Sequence, residues 1–360
     1  MPRVLILCVH RPNRSPSQRF RFEQFLSTLE AAGYDFTFSY MLDAKADKIF
    51  YGRGNLLAKS YVVLKGLCTR ICQMATWRNY DIVFVQREGL ILGTCFLEKF
   101  LARRLPLIYD FDDSIWIQNV SEANARFAFL KTTKKIPEMI RAAAIVLAGN
   151  NYLAGYARQL NSRVEIVPTT IDTSHYLPRT SPKPVDAPVV IGWSGSFSTI
   201  QHFKLAIPHL QALKRVFGNR VEFQIIGDAN YFCQELGVQG RPWKADTEVA
   251  DLQEFDIGIM PLPDDEWSRG KCGLKGLQYM AVGVATLMSP VGVNRDIVQH
   301  GVNGFLPDTP ENWLSCLCQL VESSELRRRL GEAGRRTVED GYSVRVWRDK
   351  YLQIFASLRG

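Results

Sequence analysis

The stretch Lys271-Cys-Gly-Leu-Lys275-Gly-Leu-Gln278-Tyr-Met-Ala-Val-Gly-Val-Ala-Thr-Leu-Met-Ser289 predicts a loop, a short helix and a buried strand in succession. Positions i, i+4 and i+7 share one face of a helix, so Lys271, Lys275 and Gln278 should form a polar stripe. The N–H groups and dipole at a helix N-terminus favour an anion, and two lysines add full charges. A solvated helix face is the alternative. The pattern predicts a diphosphate site.

Apolar strands alternate with amphipathic helices on both sides of this stretch. Helices are predicted at Arg19–Ala32 and Phe203–Phe217, each followed by a glycine. Such alternation indicates parallel sheets covered on both faces, that is, an α/β protein of two Rossmann-like domains with a cleft between them. The predicted strands are Val4–Val9, Asp81–Gln86, Pro106–Phe111, Ala142–Ala148, Val164–Val167, Pro188–Trp193, Val221–Ile226, Asp256–Met260 and Val284–Ser289.

The chain has 360 residues, enough for two hydrophobic cores, and the proline-rich stretch Pro178–Pro188 is the predicted linker. We expect an N-terminal domain at 1–180, a C-terminal domain at 188–340, and a helix at 341–360 that packs back toward the N-terminal domain. The eight cysteines and five histidines lack the spacing of a zinc site. Free thiols are therefore expected.

The opening stretch resembles the donor-site signature of retaining GT-B glycosyltransferases of family 4, in which a Lys-x-x-Glu-Tyr-Met-Ala-x-Gly-x-Pro helix follows the donor loop. The matching residues are Lys275, Tyr279, Met280, Ala281 and Gly283. The glutamate that holds the nucleotide ribose in the family falls on Gln278, its partner on Gly270, and the proline on Ala285. Glutamine can still hydrogen-bond a diol, but without charge. Three acidic residues just upstream, at 264–266, are candidates for contact with the donor sugar.

Further segments resemble other parts of that family's donor domain, in the same order. Gly195 and Ser196 fall in its glycine loop, where backbone N–H groups and a hydroxyl would meet a phosphate; a plain turn is the alternative. Gly227 and Asp228 look like the strand end that faces the nucleobase, and Pro261 precedes the donor loop. Many members carry an Arg and a Lys after the glycine loop, but this chain has Phe-Ser-Thr. The positive charge is therefore left to Lys271, Lys275 and Arg269.

Net charge is concentrated in the first half of the chain. Residues 1–180 carry 24 Lys and Arg against 15 Asp and Glu, or +9, and the remaining residues carry 20 against 21, or −1. By resemblance the first domain holds the acceptor, so an anionic saccharide, a lipid-linked acceptor or an anionic membrane surface is expected. Nucleic acid is disfavoured as a partner because helix-turn-helix, zinc-finger and RNP signatures are absent.

Three aspartates follow a predicted strand, at Asp110, Asp112 and Asp113. The carboxyl ends of strands in an open α/β sheet face the ligand crevice. Such carboxylates repel one another unless cations or polar ligands compensate. A Mg²⁺ site or helix capping is the alternative. The resemblance implies that they lie where acceptor and donor sugar meet, so one of them is the candidate to orient or deprotonate the acceptor hydroxyl.

Two further groups are candidates for the same domain's ligands. Arg87 and Glu88 follow another predicted strand, and Arg87 is predicted to pair with the aspartates. The loop Ser15–Arg21 resembles a Ser-x-Arg-x-Arg segment of some family members, in which Arg19 and Arg21 would meet the donor diphosphate or an acidic acceptor. Solvated or internally paired arginines are the alternative.

The segment Asn55–Trp77 is apolar but carries Lys59, Lys65 and Arg70. These charges argue against a spanning helix and suit an interfacial one, with a core helix as the alternative. The apolar run Val4–Val9 is too short for a signal peptide. We expect a cytoplasmic protein, peripheral at the inner membrane.

Together these features predict a hexosyltransferase that uses a nucleotide-diphosphate sugar in surface-polysaccharide or glycolipid synthesis. The family resemblance implies that it is retaining and metal-independent, with no cofactor and with the nucleotide sugar as its substrate. Two other functions remain open: a GT-B-fold sugar-nucleotide epimerase, and a non-catalytic family member that acts as a binding partner.

Overall fold

The computed structural model describes residues 1–52, 54–117, 133–181, 183–184, 186–196 and 199–358. The chain forms two compact units. The N-terminal unit consists of Met1–Thr169 together with Trp347–Gly360, and the C-terminal unit is Thr170–Val346.

The N-terminal unit contains a six-stranded parallel sheet of order β2-β1-β3-β4-β5-β6. Its strands are β1 (Arg3–His10), β2 (Asp35–Leu42), β3 (Ile82–Gln86), β4 (Leu107–Phe111), β5 (Ile145–Ala148) and β6 (Val164–Ile166). Five of them were predicted from their apolar runs. The sixth, β2, was missed because it lies at the sheet edge, where exposed and buried side chains mostly alternate and no continuous apolar run forms.

Helices cover this sheet. They are α1 (Pro16–Arg19), α2 (Leu26–Ala31), α3 (Ala44–Tyr51), α4 (Leu56–Ala75), α5 (Phe96–Ala102), α6 (Lys135–Ala142) and α7 (Asn151–Arg158). The helix predicted at Arg19–Ala32 is interrupted. The side chain of Gln18 donates to the backbone of His10, and Glu23 accepts from Asn13 N–H, so this segment is held against the loop after β1 instead of continuing as one helix.

The C-terminal unit contains a five-stranded parallel sheet of order β11-β8-β7-β12-β13 and a small antiparallel pair, β9 and β10. The strands are β7 (Val189–Ser194), β8 (Val221–Gly227), β9 (Phe232–Cys233), β10 (Val238–Gln239), β11 (Arg241–Pro242), β12 (Ile257–Met260) and β13 (Ala285–Met288). The predicted class, two parallel-sheet α/β domains, is confirmed.

The helices of this unit are α8 (Ile200–Lys204), α9 (Ile207–Phe217), α10 (Glu248–Gln253), α11 (Glu266–Arg269), α12 (Leu274–Ala281), α13 (Asn294–Ile297), α14 (Pro310–Glu322) and α15 (Ser324–Gly341). The single helix predicted at Phe203–Phe217 is two helices. Pro208 lies in the first turn of α9, where its missing N–H costs nothing, and the chain therefore restarts a helix there.

The boundary between the units falls after Thr169, earlier than the predicted linker Pro178–Pro188. The segment after this boundary is bonded to the C-terminal unit. Tyr176 OH donates to Glu248 Oε2 at 2.7 Å, and Lys183 Nζ lies 2.6 Å from Asp256 Oδ2. These contacts explain why the proline-rich stretch belongs to the C-terminal unit.

The chain returns to the N-terminal unit at its end, through the helix α16 (Val344–Ala356). The ring of Tyr351 stacks on Phe25 with centroids 4.0 Å apart, and Tyr351 OH donates to the backbone carbonyl of Arg21. Phe355 packs edge-on against Tyr34. This last helix therefore completes the core of the N-terminal unit.

Candidate functional site

The helix α12 begins at Leu274, after Gly273, whose φ is +70°. A Cβ at Gly273 would lie 2.4 Å from Ile297 Cδ1, so glycine is needed there for both its backbone angle and its contact. Lys275 lies in the first helical turn, whereas Lys271 lies in the preceding loop. The predicted stripe along one helix is therefore wrong for Lys271, although the loop keeps it near the helix N-terminus.

The two lysines lie beside aromatic rings and a histidine. Lys275 Nζ is 5.6 Å from the ring centroid of Trp193, and Lys271 Nζ is 5.8 Å from that of Trp267. Burial, followed by the charges of Lys271 and Lys275, lowers the pKa of His202 to about 4. His202 is therefore neutral at pH 7 and lies within electrostatic range of both lysines. We call Lys271, Lys275 and His202 the cationic cluster.

Sequence reasoning missed His202. It lies on α8, directly after the glycine loop that follows β7, and is 7% exposed. No spacing rule links this histidine to the lysines, because the parallel sheet brings the loops after β7 and β12 together. The one available signal was its position just beyond the end of a buried strand.

Tyr279 fixes α12 against the sheet. Its hydroxyl accepts a 2.8 Å hydrogen bond from Ser194 N–H at the end of β7, and its side chain is fully buried. A Cβ at Gly258 would lie 2.5 Å from the Tyr279 ring, so the glycine in β12 makes room for it. Tyr279 thereby positions Lys275, one helical turn earlier, beside Trp193.

The glycine loop does not present the predicted backbone donors. Gly195 N–H donates to Ile226 O at 2.9 Å, and Ser196 N–H donates to Thr199 Oγ1 at 3.0 Å. Gly227 has φ +133°, and a Cβ there would lie 1.5 Å from Gly195 O. These two glycines therefore serve a close contact between the ends of β7 and β8, and both N–H groups of the loop are used within the fold.

The remaining predicted donor-side residues have structural partners. Asp228 Oδ1 accepts from Asn230 N–H at 2.9 Å in a local turn. Pro261 is buried beside Leu262, whose N–H donates to Ser289 Oγ at 2.9 Å. These contacts shape the ends of β8 and β12.

Gln278 is buried, contrary to the expectation of an exposed polar stripe. Its Nε2 donates to Glu248 Oε1 at 3.1 Å and lies 3.3 Å from the hydroxyl of Tyr176. Trp243 Nε1 also donates to Glu248 Oε1, at 3.0 Å. We call Tyr176, Trp243, Glu248 and Gln278 the buried amide network. It turns the Gln278 amide nitrogen into the fold, so the predicted ribose contact has no support from this geometry.

Asp264 and Asp265, in the acidic segment before α12, also have partners within the fold. Asp265 Oδ1 accepts from Ser268 N–H at 2.7 Å and caps α11, and Asp264 pairs with Arg269 at 2.7 Å. Glu266 lies in the first turn of α11. Arg269 is thus paired with Asp264.

In the N-terminal unit, Asp110 and Arg21 form a fully buried ion pair. Arg21 Nη2 lies 2.5 Å from Asp110 Oδ1, and Arg21 Nη1 donates to the carbonyl of Val167. Both side chains are 0% exposed. Burial raises the pKa of Asp110, and the charge of Arg21 opposes that shift. The predictions that Asp110 is catalytic and that Arg21 binds a ligand have no support from this geometry, because both side chains are buried and paired with each other.

Asp112 and Asp113 lie just beyond the carboxyl end of β4, and both pair with Arg87, as predicted. Arg87 Nε is 2.6 Å from Asp112 Oδ1, and Arg87 Nη2 binds Asp113 Oδ2. Burial opposes ionisation of Asp112, but Arg87 outweighs it, and the pKa of Asp112 lies below its usual range. The side chains are 12% and 17% exposed. We call this trio the carboxylate edge.

The backbone at Arg87 is held in the left-handed region, with φ +56°. Its N–H donates to Asp110 O at 2.8 Å, and its carbonyl accepts from Tyr109 OH at 2.9 Å. A non-glycine residue in this conformation costs about 1 kcal/mol or more. Hydrogen bonds at the ends of β3 and β4 therefore hold Arg87 in a backbone conformation that non-glycine residues disfavour, and in this conformation its guanidinium contacts both aspartates.

The other predicted ligand residues of this unit, Glu88 and Arg19, make contacts outside the carboxylate edge. Glu88 pairs with Lys135 at 2.5 Å, and Lys135 also donates to the carbonyls of Leu90 and Leu92. Arg19 is half-buried, with its guanidinium carbon 4.9 Å from the centroid of Phe20.

A cationic loop after β1 was also missed. Arg14 Nε lies 2.8 Å from Asp47 Oδ2, and Arg11 Nη1 lies 3.3 Å from the same oxygen. Burial first, then the charge of Arg14, lowers the pKa of His10 to about 4, although Asp47 opposes that shift. Two arginines against one carboxylate leave net positive charge at this strand end.

Two classes of feature are absent from the part of the chain that the structure describes. Nowhere in it do three or more His, Cys, Asp or Glu side chains gather in a way that would hold a metal ion. None of its helices combines the length and the apolar character needed to cross a membrane. All eight cysteines are free thiols.

The cationic cluster and the strands around it fall in a region that known proteins share. Residues 188–323 match the family model described as Glycosyl transferases group 1. This region is therefore similar to a glycosyl transferases group 1 domain. The cationic cluster, the carboxyl end of β7 and all of α12 lie inside it.

A curated protein matches part of the chain. The lipopolysaccharide core biosynthesis glycosyltransferase LpsE of Rhizobium meliloti is 28% identical over 186 residues, which are 48% of this chain and 51% of that protein. The chain therefore spans about half the length of this curated relative.

Solved structures match the whole chain in fold. Sucrose-phosphate synthase from Thermosynechococcus elongatus has a TM-score of 0.69 at 13% identity and covers 99% of each chain. Anabaena HepE in complex with UDP-glucose has a TM-score of 0.68 at 14% identity, over 99% of this chain and 100% of that one. These similarities show the fold of the chain, which is GT-B.

Proposed function

We propose that this protein transfers a hexose from a nucleotide-diphosphate sugar to an acceptor hydroxyl. The observation that carries the proposal is the cationic cluster: two lysines and a neutral histidine gathered at the strand ends of a glycosyl transferases group 1 domain. A departing diphosphate develops negative charge as the glycosidic bond to the donor breaks. Fixed cations that meet this charge stabilise the transition state more than the ground state.

The proposed roles follow from the chemistry of each side chain. Lys275, in the first turn of α12, supplies charge together with the N-terminal end of the helix dipole. Lys271 supplies the second charge from the loop. His202 donates one N–H without adding charge, since it is neutral at pH 7. We propose that the charges of these two lysines act on the departing diphosphate in place of a metal ion, and that the reaction is metal-independent.

For the N-terminal unit we propose a role in acceptor binding. Asp113 is the more exposed carboxylate of the carboxylate edge, and Arg87 keeps Asp112 ionised. An ionised carboxylate accepts a hydrogen bond from a sugar hydroxyl and thereby orients that hydroxyl. The +9 charge of residues 1–180 favours an anionic saccharide or a lipid-linked anionic acceptor. Retention of anomeric configuration is proposed from the motif resemblance.

The similar proteins suggest which donor and which biological setting to test first. One is a lipopolysaccharide core biosynthesis enzyme, and another was solved with UDP-glucose. We therefore propose a UDP-hexose as the first donor to test, and a surface polysaccharide or glycolipid as the setting.

The experiment is incubation of the full chain with a panel of sugar nucleotides, with and without saccharide acceptors. Free nucleoside diphosphate, epimerised donor and glycosylated product are quantified by chromatography and mass spectrometry. Transfer that persists in EDTA and falls in Lys275→Ala supports the proposal. An epimer without acceptor would indicate an epimerase, binding without turnover would indicate a non-catalytic member, and loss of activity in EDTA restored by Mg²⁺ would contradict metal independence.

A further inference from the structure

The helix α4 has two faces of different character. One face packs on the N-terminal unit through Val62, Gly66 and Arg70, all buried. Gly66 admits the end of Met41, since a Cβ there would lie 2.5 Å from Met41 Cε. Arg70 is fully buried, and its Nε donates to Gly89 O at 2.7 Å. The sequence expectation that Arg70 faces a membrane is therefore wrong.

The opposite face of α4 is apolar and exposed. Leu57 is 87% exposed and Tyr61 is 66% exposed. With its neighbours this face forms a stripe at spacings of four and three residues, which we call the outer stripe: Leu57, Tyr61, Leu64, Cys68 and Ile71. It runs for about 21 Å at 1.5 Å per residue. Single exposed apolar residues are ordinary, but a continuous stripe of them marks an interaction surface.

The surroundings of the outer stripe are cationic. Residues 56–75 include no Asp or Glu, and Lys65, 56% exposed, flanks the stripe. The adjoining helices α3 and α5 and the turns beside them add the further cations Lys45, Lys48, Arg78, Arg103 and Arg104, whereas Lys99 on α5 is paired with Glu138 at 2.9 Å. Among the described residues of 43–80 and 96–104, Asp47 and Glu98 are buried, and Asp43 pairs with Lys65 at 3.1 Å. The rim is therefore strongly positive.

We propose that the outer stripe docks on an anionic lipid bilayer. An apolar stripe without internal charge enters the boundary between headgroups and acyl chains, while a basic rim contacts the anionic headgroups. The same charge argues against a second copy of this chain as the occupant. A two-fold contact would bring the positive rims of both copies together without acidic partners. This inference does not depend on the catalytic assignment.

The direct test is co-sedimentation of the full chain with vesicles of phosphatidylcholine, alone or mixed with phosphatidylglycerol, at low and high salt. Binding is expected to the anionic vesicles, weakened by salt. The double variant Leu57→Gln/Leu64→Gln should lose at least about tenfold in partition coefficient. Lys65→Gln should lose up to about fivefold. The matched controls are Val216→Gln, an exposed apolar position of the C-terminal unit, and Lys204→Gln; both should bind as the unaltered chain does.

A second measurement uses the unaltered chain and so does not depend on variants that fold. Cys68 and Cys72 are exposed on α4, whereas Cys318 lies in the C-terminal unit. Anionic vesicles should slow alkylation of Cys68, read by peptide mass spectrometry, and leave Cys318 unchanged. The proposal is overturned by no binding, by equal binding to neutral and anionic vesicles, or by binding that the stripe variants leave intact. A concentration-dependent dimer that Leu57→Gln/Leu64→Gln dissolves would assign the stripe to a second copy instead.

Discussion

The amide nitrogen of Gln278 lies 3.1 Å from the carboxylate oxygen Oε1 of Glu248, and both side chains are buried. The direction of this bond is fixed by chemistry, because an ionised carboxylate accepts and an amide N–H₂ donates. The other oxygen of Glu248 accepts from Tyr176 OH at 2.7 Å. The network thus joins α10, α12 and the segment after the unit boundary around the buried carboxyl group of Glu248.

We predict that Gln278→Glu destabilises the C-terminal unit. It places a second carboxylate against Glu248 and removes the donor, which should lower the free energy of unfolding by about 2–4 kcal/mol at pH 7. The two carboxylates would have raised pKa values in the folded state, so the loss should shrink as the pH falls toward their unfolded values near 4.3. Urea unfolding at pH 7 and pH 5 measures both effects.

The matched control is the exchange of the two groups, Gln278→Glu with Glu248→Gln. It restores one donor and one carboxylate and should recover most of the stability. Full stability of the single Gln278→Glu variant at pH 7 would show that the amide does not face Glu248 in solution.

We predict that Lys275→Ala lowers kcat/KM by about 10²-fold or more, as expected when one stabiliser of transition-state charge is removed. Lys204→Ala is the control, because Lys204 is an exposed lysine two residues after His202 on the same helix. Steady-state kinetics with the donor found in the panel, together with circular dichroism, distinguishes loss of catalysis from loss of fold. Equal losses in both variants would argue against the cationic cluster.

We predict that a nucleoside diphosphate raises the pKa of His202. Burial and the charges of Lys271 and Lys275 lower it to about 4. An anion beside the lysines offsets their contribution, so the pKa should rise by about one unit or more. Side-chain NMR titration of the histidines with and without UDP measures this, with His202→Gln for assignment. His209, whose pKa burial lowers, is the internal control and should not respond.

We predict opposite phenotypes for two neighbouring aspartates. Asp110→Asn leaves Arg21 as a buried charge with a neutral partner and should cost about 3–5 kcal/mol of stability. Asp113→Asn should change stability by less than about 1 kcal/mol, because Arg87 keeps Asp112. It should nevertheless lower kcat by about tenfold or more if this carboxylate orients the acceptor.

Thermal unfolding and kinetics on the same preparations distinguish these outcomes. A stable Asp110→Asn with low activity would return Asp110 to the catalytic set. An unaffected kcat in Asp113→Asn would remove the carboxylate edge from acceptor binding.

The sequence was sufficient where local patterns determine structure. Strands β1, β3 and β7 are continuous apolar runs, and such runs occur in strands buried on both faces. The pairing of Arg87 with the aspartates was also accessible, since both follow neighbouring buried strands. In contrast, Arg21 and Asp110 are 89 positions apart, and nothing in either segment indicates that they meet inside the core.

The errors at Lys271 and Gln278 have a different cause. Helical spacing states which residues share a face, but the helix start depends on Gly273, whose positive φ precedes α12 and places the helix start three residues after Lys271. Whether the face of Gln278 meets solvent depends on Glu248, which arrives on another helix. The sequence of one helix predicts which of its residues share a face, but it does not predict which other element packs against that face.

Because α16 completes the core of the N-terminal unit, that core depends on residues that are translated after the C-terminal unit. Its core includes Tyr351 and Phe355, yet the whole C-terminal unit is translated between Thr169 and Trp347. At about 5–20 residues per second, the ribosome needs on the order of ten seconds or more to bridge that interval. Until then Phe25 and Tyr34 lack the rings of Tyr351 and Phe355, and the sheet carries uncovered apolar surface. The N-terminal unit can therefore complete its core only after the C-terminal unit has been translated.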